Sequence, residues 1–112
     1  MKYAILSLII LLFGTQLFAH PAGEVSMSYT AATQIVTVSF SHGVKSATEH
    51  YIEKVTLKLN NKVIVTQTLG LQDTISGGTL SYKVPGLKKG DVLEAVTECN
   101  KGGTKSRKLT LN

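Results

Sequence analysis

The chain has 112 residues, with twelve basic and seven acidic side chains that give a formal net charge of +5, and a single cysteine. This length allows one domain, and a lone cysteine excludes a disulfide within the chain. The basic residues are dispersed, whereas nucleic-acid binding needs a dense basic stripe or stacking aromatic side chains, so we expect no nucleic-acid partner.

The first nineteen residues have the pattern of an export signal. Lys2 precedes an apolar run over residues 4–13, and the stretch ends at Ala19, before the expected cut. The apolar run is too short for a comfortable membrane span. We therefore predict a signal peptide over residues 1–19, export to the periplasm or the medium, and a mature domain of residues 20–112 with no stable membrane insertion after cleavage.

Beyond the signal, apolar residues recur at every second position, which is the period of a half-buried strand. The pattern predicts seven short strands, over residues 24–29, 36–40, 50–59, 63–69, 80–84, 92–98 and 108–111. Asn60 and Asn61 predict a tight turn because asparagine tolerates positive φ, while Gly77-Gly78 and residues 99–104 are predicted to interrupt strands. The fold class is therefore all-β, an Ig-like antiparallel β-sandwich, with a small barrel as the alternative.

Four side chains with metal-binding chemistry lie at predicted strand ends or in loops, namely His20, His42, His50 and Cys99. In a sandwich such connections can gather at one end, where function tends to be found. Imidazole nitrogens and a thiolate suit Fe, Zn or Cu better than carboxylates do. The alternative is three surface histidines and a buried cysteine that acts as a small apolar side chain. No Gly-x-Ser-x-Gly sequence is present that would indicate a hydrolase nucleophile.

Two motifs resemble a known family. The sequence Glu-His-Tyr-Ile at residues 49–52, followed by Cys99-Asn100, is similar to the iron-binding domain of desulfoferrodoxin and neelaredoxin, the superoxide reductases. That family combines an Ig-like sandwich with one iron held by four equatorial histidines and an axial cysteine. The resemblance spans most of the mature chain and implies that His50 is an equatorial ligand and Cys99 the axial thiolate.

The chain departs from the family pattern at several positions. His42 lies further before His50 than in typical members, and His20-Pro21 takes the place of the family's N-terminal histidine. Gly102 occupies the position that carries a histidine in the sequence Cys-Asn-x-His-Gly. The resemblance therefore implies at most three histidines and one cysteine, with an additional open position at the metal. A mature N-terminal His20 would also offer its amine and imidazole to copper.

The function implied by the resemblance is one-electron reduction of superoxide to hydrogen peroxide, with iron as cofactor and an unknown electron donor as partner. Lys45 is the candidate for attracting the anion, and Glu49 for orienting His50 or serving as a displaceable ligand. The alternative for each is a solvated loop residue without a role in the site. The competing hypotheses are a noncatalytic copper- or zinc-binding module and a metal-free Ig-like interaction domain, and a homo-oligomer is compatible with each.

Overall fold

The computed structural model describes residues 20–112, so the predicted signal peptide lies outside the described residues. Seven strands follow one another along the chain: β1 (Glu24–Thr30), β2 (Ile35–Ser41), β3 (Ile52–Leu59), β4 (Lys62–Thr68), β5 (Gly77–Lys83), β6 (Val92–Cys99) and β7 (Thr104–Thr110). They form a three-stranded sheet in the order β1-β2-β5 and a four-stranded sheet in the order β4-β3-β6-β7. All neighbouring strands are antiparallel, which confirms the predicted all-β sandwich. Within residues 20–112, no helix is long and apolar enough to cross a membrane.

The core lies between the two sheets and is built from alternate residues of the inner strands. The fully buried side chains include Val36 and Val38 of β2, Leu57 of β3 and Leu93 of β6. Burying one such side chain stabilises the fold by about 1.5–3 kcal/mol. At one end of the sandwich the core finishes at Ile52, which pairs with Cys99 across β3 and β6. The metal-ligand candidates lie at this same end.

Two predicted strand boundaries are wrong at the glycine-containing segments. Gly77 and Gly78 begin β5, where they pair with Ser41 and Phe40 of β2, rather than interrupting a strand. A Cβ atom at Gly77 would overlap the carbonyl oxygen of Phe40, and one at Gly78 would lie 2.9 Å from the Phe40 ring. Glycine is needed here because the two strands approach closely. From the sequence alone, a glycine pair at a close strand contact looks the same as a glycine pair in a turn.

The last strand begins earlier than predicted, at Thr104 rather than Lys108, and Cys99 ends β6 instead of opening a loop. Most of β7 is exposed because it is the edge strand of its sheet. Alternation arises only where one face is buried, so the polar first half of β7 carries no such signal. The Asn60-Asn61 turn is confirmed, with φ angles of 49° and 70°.

Candidate metal centre

Three histidines from separate segments converge at one end of the sandwich. His20 precedes β1, His42 directly follows β2, and His50 lies in the turn before β3. Their ring centroids are 4.7–4.8 Å apart, and one ligand nitrogen from each lies within 4.8 Å of the others. His42 is buried, His50 is half-buried and His20 is exposed. The cluster is therefore anchored on the protein side and accessible from the side of His20.

Cys99 lies against this cluster through His50. Its Sγ atom is 3.1 Å from Nε2 of His50, and the residue is only 4% exposed. The antiparallel register of β3 with β6 produces this contact, because Ile52 pairs with Cys99 and His50 lies two residues before Ile52. Donors that share one zinc ion are separated by at most about 4.4 Å, the sum of the usual bond lengths to nitrogen and sulfur. The thiol of Cys99 and the imidazole of His50 meet this limit.

The side chain of Asn100 fastens the His50 turn to the end of β6. Its Oδ1 accepts a hydrogen bond from the Tyr51 N–H at 3.0 Å, and its Nδ2 donates to the carbonyl of Glu49 at 3.0 Å. The backbone N–H of Asn100 also donates to the carbonyl of Tyr51. The three bonds fix the backbone of Glu49 and Tyr51, the two neighbours of His50, and thereby hold His50 opposite Cys99. The Cys-Asn pair in the motif is thereby explained, although sequence reasoning assigned no role to the asparagine.

A buried glutamine holds His42. Gln72, in the loop between β4 and β5, is 3% exposed, and its Oε1 lies 2.9 Å from Nδ1 of His42. The backbone of His42 is fixed as well, since its N–H donates to the carbonyl of Ser76. Sequence reasoning missed Gln72, because a single glutamine in a polar loop has no pattern that separates it from solvent-exposed residues.

The segment of His20 packs against the loop that joins β6 to β7. Gly103 has a φ of 97°, and a Cβ atom there would lie 2.6 Å from the nitrogen of Pro21 and 3.0 Å from the carbonyl carbon of His20. Only glycine permits this close approach. Gly102, at the position where the family carries a histidine, also has a positive φ of 109° and offers no donor atom. Gly103 was not identified from the sequence as a site residue.

The environment keeps His50 in the form that binds metal. Burial lowers the pKa of His50 from its ordinary value of 6.5, and the nearby charges of His42, His20 and Lys101 lower it further. A metal ligand has to be the neutral imidazole. At neutral pH the His50 ring is therefore ready to bind without first losing a proton.

An open cleft of about 770 Å³ leads from solvent to His20 and His50. Lys45 and Glu49, both predicted as site residues, line this cleft together with His20, His50 and Lys101. Lys101 was not predicted, although it occupies the variable position directly after Cys99-Asn100. Two lysines beside one carboxylate leave the cleft with an excess of positive charge. Such a field raises the local concentration of small anions.

The residues present fit a transition metal. Three imidazoles and a thiol supply borderline and soft donors, the chemistry that iron, copper and zinc prefer over magnesium or calcium. The ligand nitrogens of the three histidines lie within 4.8 Å of one another, whereas two nitrogens on one ion are separated by at most about 4.2 Å, so metal binding requires the rings to move closer together. The three histidines form the candidate ligand group, and the Cys99 thiol adjoins it through His50.

Comparison with known proteins identifies the fold. No protein-family model matches the sequence, and no curated protein matches it significantly. Among solved structures, the superoxide reductase (1Fe-SOR) from Giardia intestinalis is similar at 21% identity and a TM-score of 0.58, over 78% of this chain and 95% of that chain. The superoxide reductase (neelaredoxin) from Ignicoccus hospitalis matches at 20% identity and a TM-score of 0.49, over 80% and 79% of the two chains. The resemblance drawn from the motifs is thus confirmed in three dimensions: this chain has the fold of the superoxide reductases.

Proposed function

We propose that this protein binds one iron ion through His20, His42, His50 and Cys99 and reduces superoxide to hydrogen peroxide. The observation that carries the proposal is the convergence of three imidazoles beside a buried thiol, at the end of a sandwich with the superoxide reductase fold. Neither the fold nor the cluster alone would be sufficient, since one fold hosts many functions. Together they favour a redox metal centre over the metal-free interaction domain.

The protein's own residues have distinct tasks in this reaction. His42, held by Gln72, and His50, held by Asn100, form the rigid part of the site, while His20 closes it from the solvent side. Iron held by these residues would supply the one electron that, together with two protons, converts superoxide to hydrogen peroxide. Lys45 and Lys101 attract the anion into the cleft. Glu49 lies next to His50 and lines the same cleft, where we assign it to orienting His50 or serving as a displaceable ligand.

The predicted export signal belongs to the same proposal. Cleavage after Ala19 would leave His20 at the N-terminus, next to the cluster that it joins. An exported reductase would meet superoxide outside the cytoplasm and would need an electron donor in that compartment. Mass spectrometry of the protein recovered from the periplasm or the medium tests this part, and a mature chain that begins elsewhere would contradict it.

The decisive experiment uses residues 20–112 with a native His20, loaded anaerobically with ferrous iron. Mixing with a stoichiometric pulse of superoxide is expected to oxidise one iron per protein and release hydrogen peroxide without oxygen. A Cys99→Ala variant loaded in the same way serves as the matched control. Production of oxygen, or no reaction of a fully loaded sample, would reject the enzymatic proposal.

A noncatalytic metal-binding module is the second candidate, and one observation favours it. Gly102 leaves the site with three histidines where the family has four. Copper generally binds nitrogen and sulfur donors more tightly than the other divalent first-row metals do. Retention of copper or zinc by the purified protein, together with a loaded iron form that is inert to superoxide, would establish this alternative.

A further inference from the structure

The strongest feature outside the ligands themselves is the hydrogen-bond set of Gln72. The side-chain Nε2 of Gln72 donates to two carbonyl oxygens, those of His42 and Thr74, each at 2.9 Å. Its Oε1 accepts from the backbone N–H of Ile52 at 3.2 Å. None of these three partners can exchange its role, because a carbonyl only accepts and a backbone N–H only donates. They fix the orientation of the amide independently of the His42 ring.

The fixed amide determines the proton on His42. The ring of His42 faces two acceptors, the Gln72 oxygen at 2.9 Å from Nδ1 and the His20 carbonyl oxygen at 3.2 Å from Nε2. A neutral imidazole carries one hydrogen and can donate to only one of them, and the shorter, fully buried contact to Gln72 favours a hydrogen on Nδ1. With the hydrogen on Nδ1, Nε2 makes no hydrogen bond to the His20 carbonyl oxygen and keeps its lone pair next to the other two histidines.

We propose that Gln72 is a positioning residue that locks His42 in the Nδ1–H tautomer and thereby presents Nε2 as its metal-binding nitrogen. In a histidine that binds metal through one ring nitrogen, the hydrogen-bond partner of the other ring nitrogen commonly sets the tautomer. Here the partner is a buried amide from the loop between β4 and β5, anchored by three further hydrogen bonds. The tautomer follows from these contacts alone, whereas the role of Nε2 rests on the proposed metal binding.

The anchoring also couples three parts of the site. Through one side chain, the loop between β4 and β5 is bonded to the residue after β2 and to the first residue of β3. The ring of His42 therefore cannot rotate without breaking its bond to an amide that is itself immobile. The restriction lowers the entropy lost when the ligand binds a metal.

The first test is the tautomer of His42 in metal-free, nitrogen-15-labelled protein of residues 20–112. Long-range proton–nitrogen NMR spectra at a pH above 7.5 are expected to show a protonated Nδ1 and an unprotonated Nε2. A proton on Nε2, alone or on both nitrogens, would overturn the inference. This measurement needs no metal, so it stands even where the proposed reductase function fails.

The second test compares two variants at the same position. Gln72→Glu keeps an oxygen that can accept from Nδ1, whereas Gln72→Leu removes the acceptor; both lose the bonds to the two carbonyls. Zinc titration is expected to show a 10–100-fold weaker affinity for the leucine variant, with affinity largely restored in the glutamate variant. Gln67→Leu, in β4 opposite Val55 of β3, controls for the loss of a glutamine side chain. Equal losses in both variants at position 72 would mean that Gln72 only supports the loop.

Discussion

Replacing Gly103 with alanine tests whether the approach of the His20 segment to the β6–β7 loop builds the metal centre. The added Cβ would lie 2.6 Å from the nitrogen of Pro21, where ordinary contacts begin at 3.4 Å. The neighbouring atoms belong to the backbone and to the proline ring, so they cannot rotate away. The segment carrying His20 must therefore retreat by about 1 Å, a displacement that can cost on the order of 100-fold where geometry matters.

The matched control is Gly90→Ala. Gly90 has a similar φ of 92°, but a Cβ atom there meets nothing within 4 Å. A left-handed backbone conformation costs alanine about 1–2 kcal/mol, so urea unfolding is expected to show this loss in the free energy of unfolding for both variants. Only Gly103→Ala is expected to weaken zinc binding, by about 10–100-fold, and to lose the NMR contacts between the rings of His20 and His42. Equal zinc affinities for the two variants would refute the reasoning.

Three further predictions concern the thiol, the cleft and acid stability. Cys99→Ala is expected to abolish the thiolate-to-iron charge-transfer band in visible spectra while changing the free energy of unfolding by about 1 kcal/mol; a band that persists would exclude Cys99 as a ligand. Exchanging Lys45 or Lys101 for methionine is expected to slow the reaction with superoxide and to weaken its dependence on salt, with the exposed Lys89 as control. Hydrogen bonds from the Lys88 N–H and the Asn60 side chain lower the pKa of Asp91 from its ordinary value of 3.8. The stability that Asp91 adds is therefore present above the unfolded-state pKa and is lost as the pH falls through the folded-state pKa. The difference in urea midpoint between the wild type and Asp91→Asn is therefore expected to shrink on acidification, and a constant difference would contradict this.

The strand pattern was predictable wherever one face of a strand is buried. Val36, Val38 and Phe40 alternate with polar residues because β2 lies in the middle of its sheet, with one face on the core. This alternation is missing in the first half of β7, where both faces of the strand are exposed. At Gly77 the prediction failed for another reason: the glycine allows close contact between two strands and does not interrupt one. Periodicity reports burial, so it cannot find a strand that buries little.

The candidate site was predictable in its donor atoms but not in its supports. His20, His42, His50 and Cys99 could be named because few residue types bind transition metals and each lies at a predicted strand end or loop. Gln72, Asn100 and Gly103 could not, because amides and glycines occur in most loops. Their roles depend on contacts between residues far apart in the chain, such as the 30 positions that separate His42 from Gln72.

The sequence by itself therefore determined the class of fold, the strands with a buried face and the chemistry of the available donors. Only the tertiary structure decided that the three histidines meet, that the Cys99 thiol touches His50, and that Nδ1 of His42 faces Gln72. The physical reason is the range of the interactions. Alternation and turn preferences act between neighbours along the chain, whereas the site is assembled by sheet register and by hydrogen bonds between separate loops.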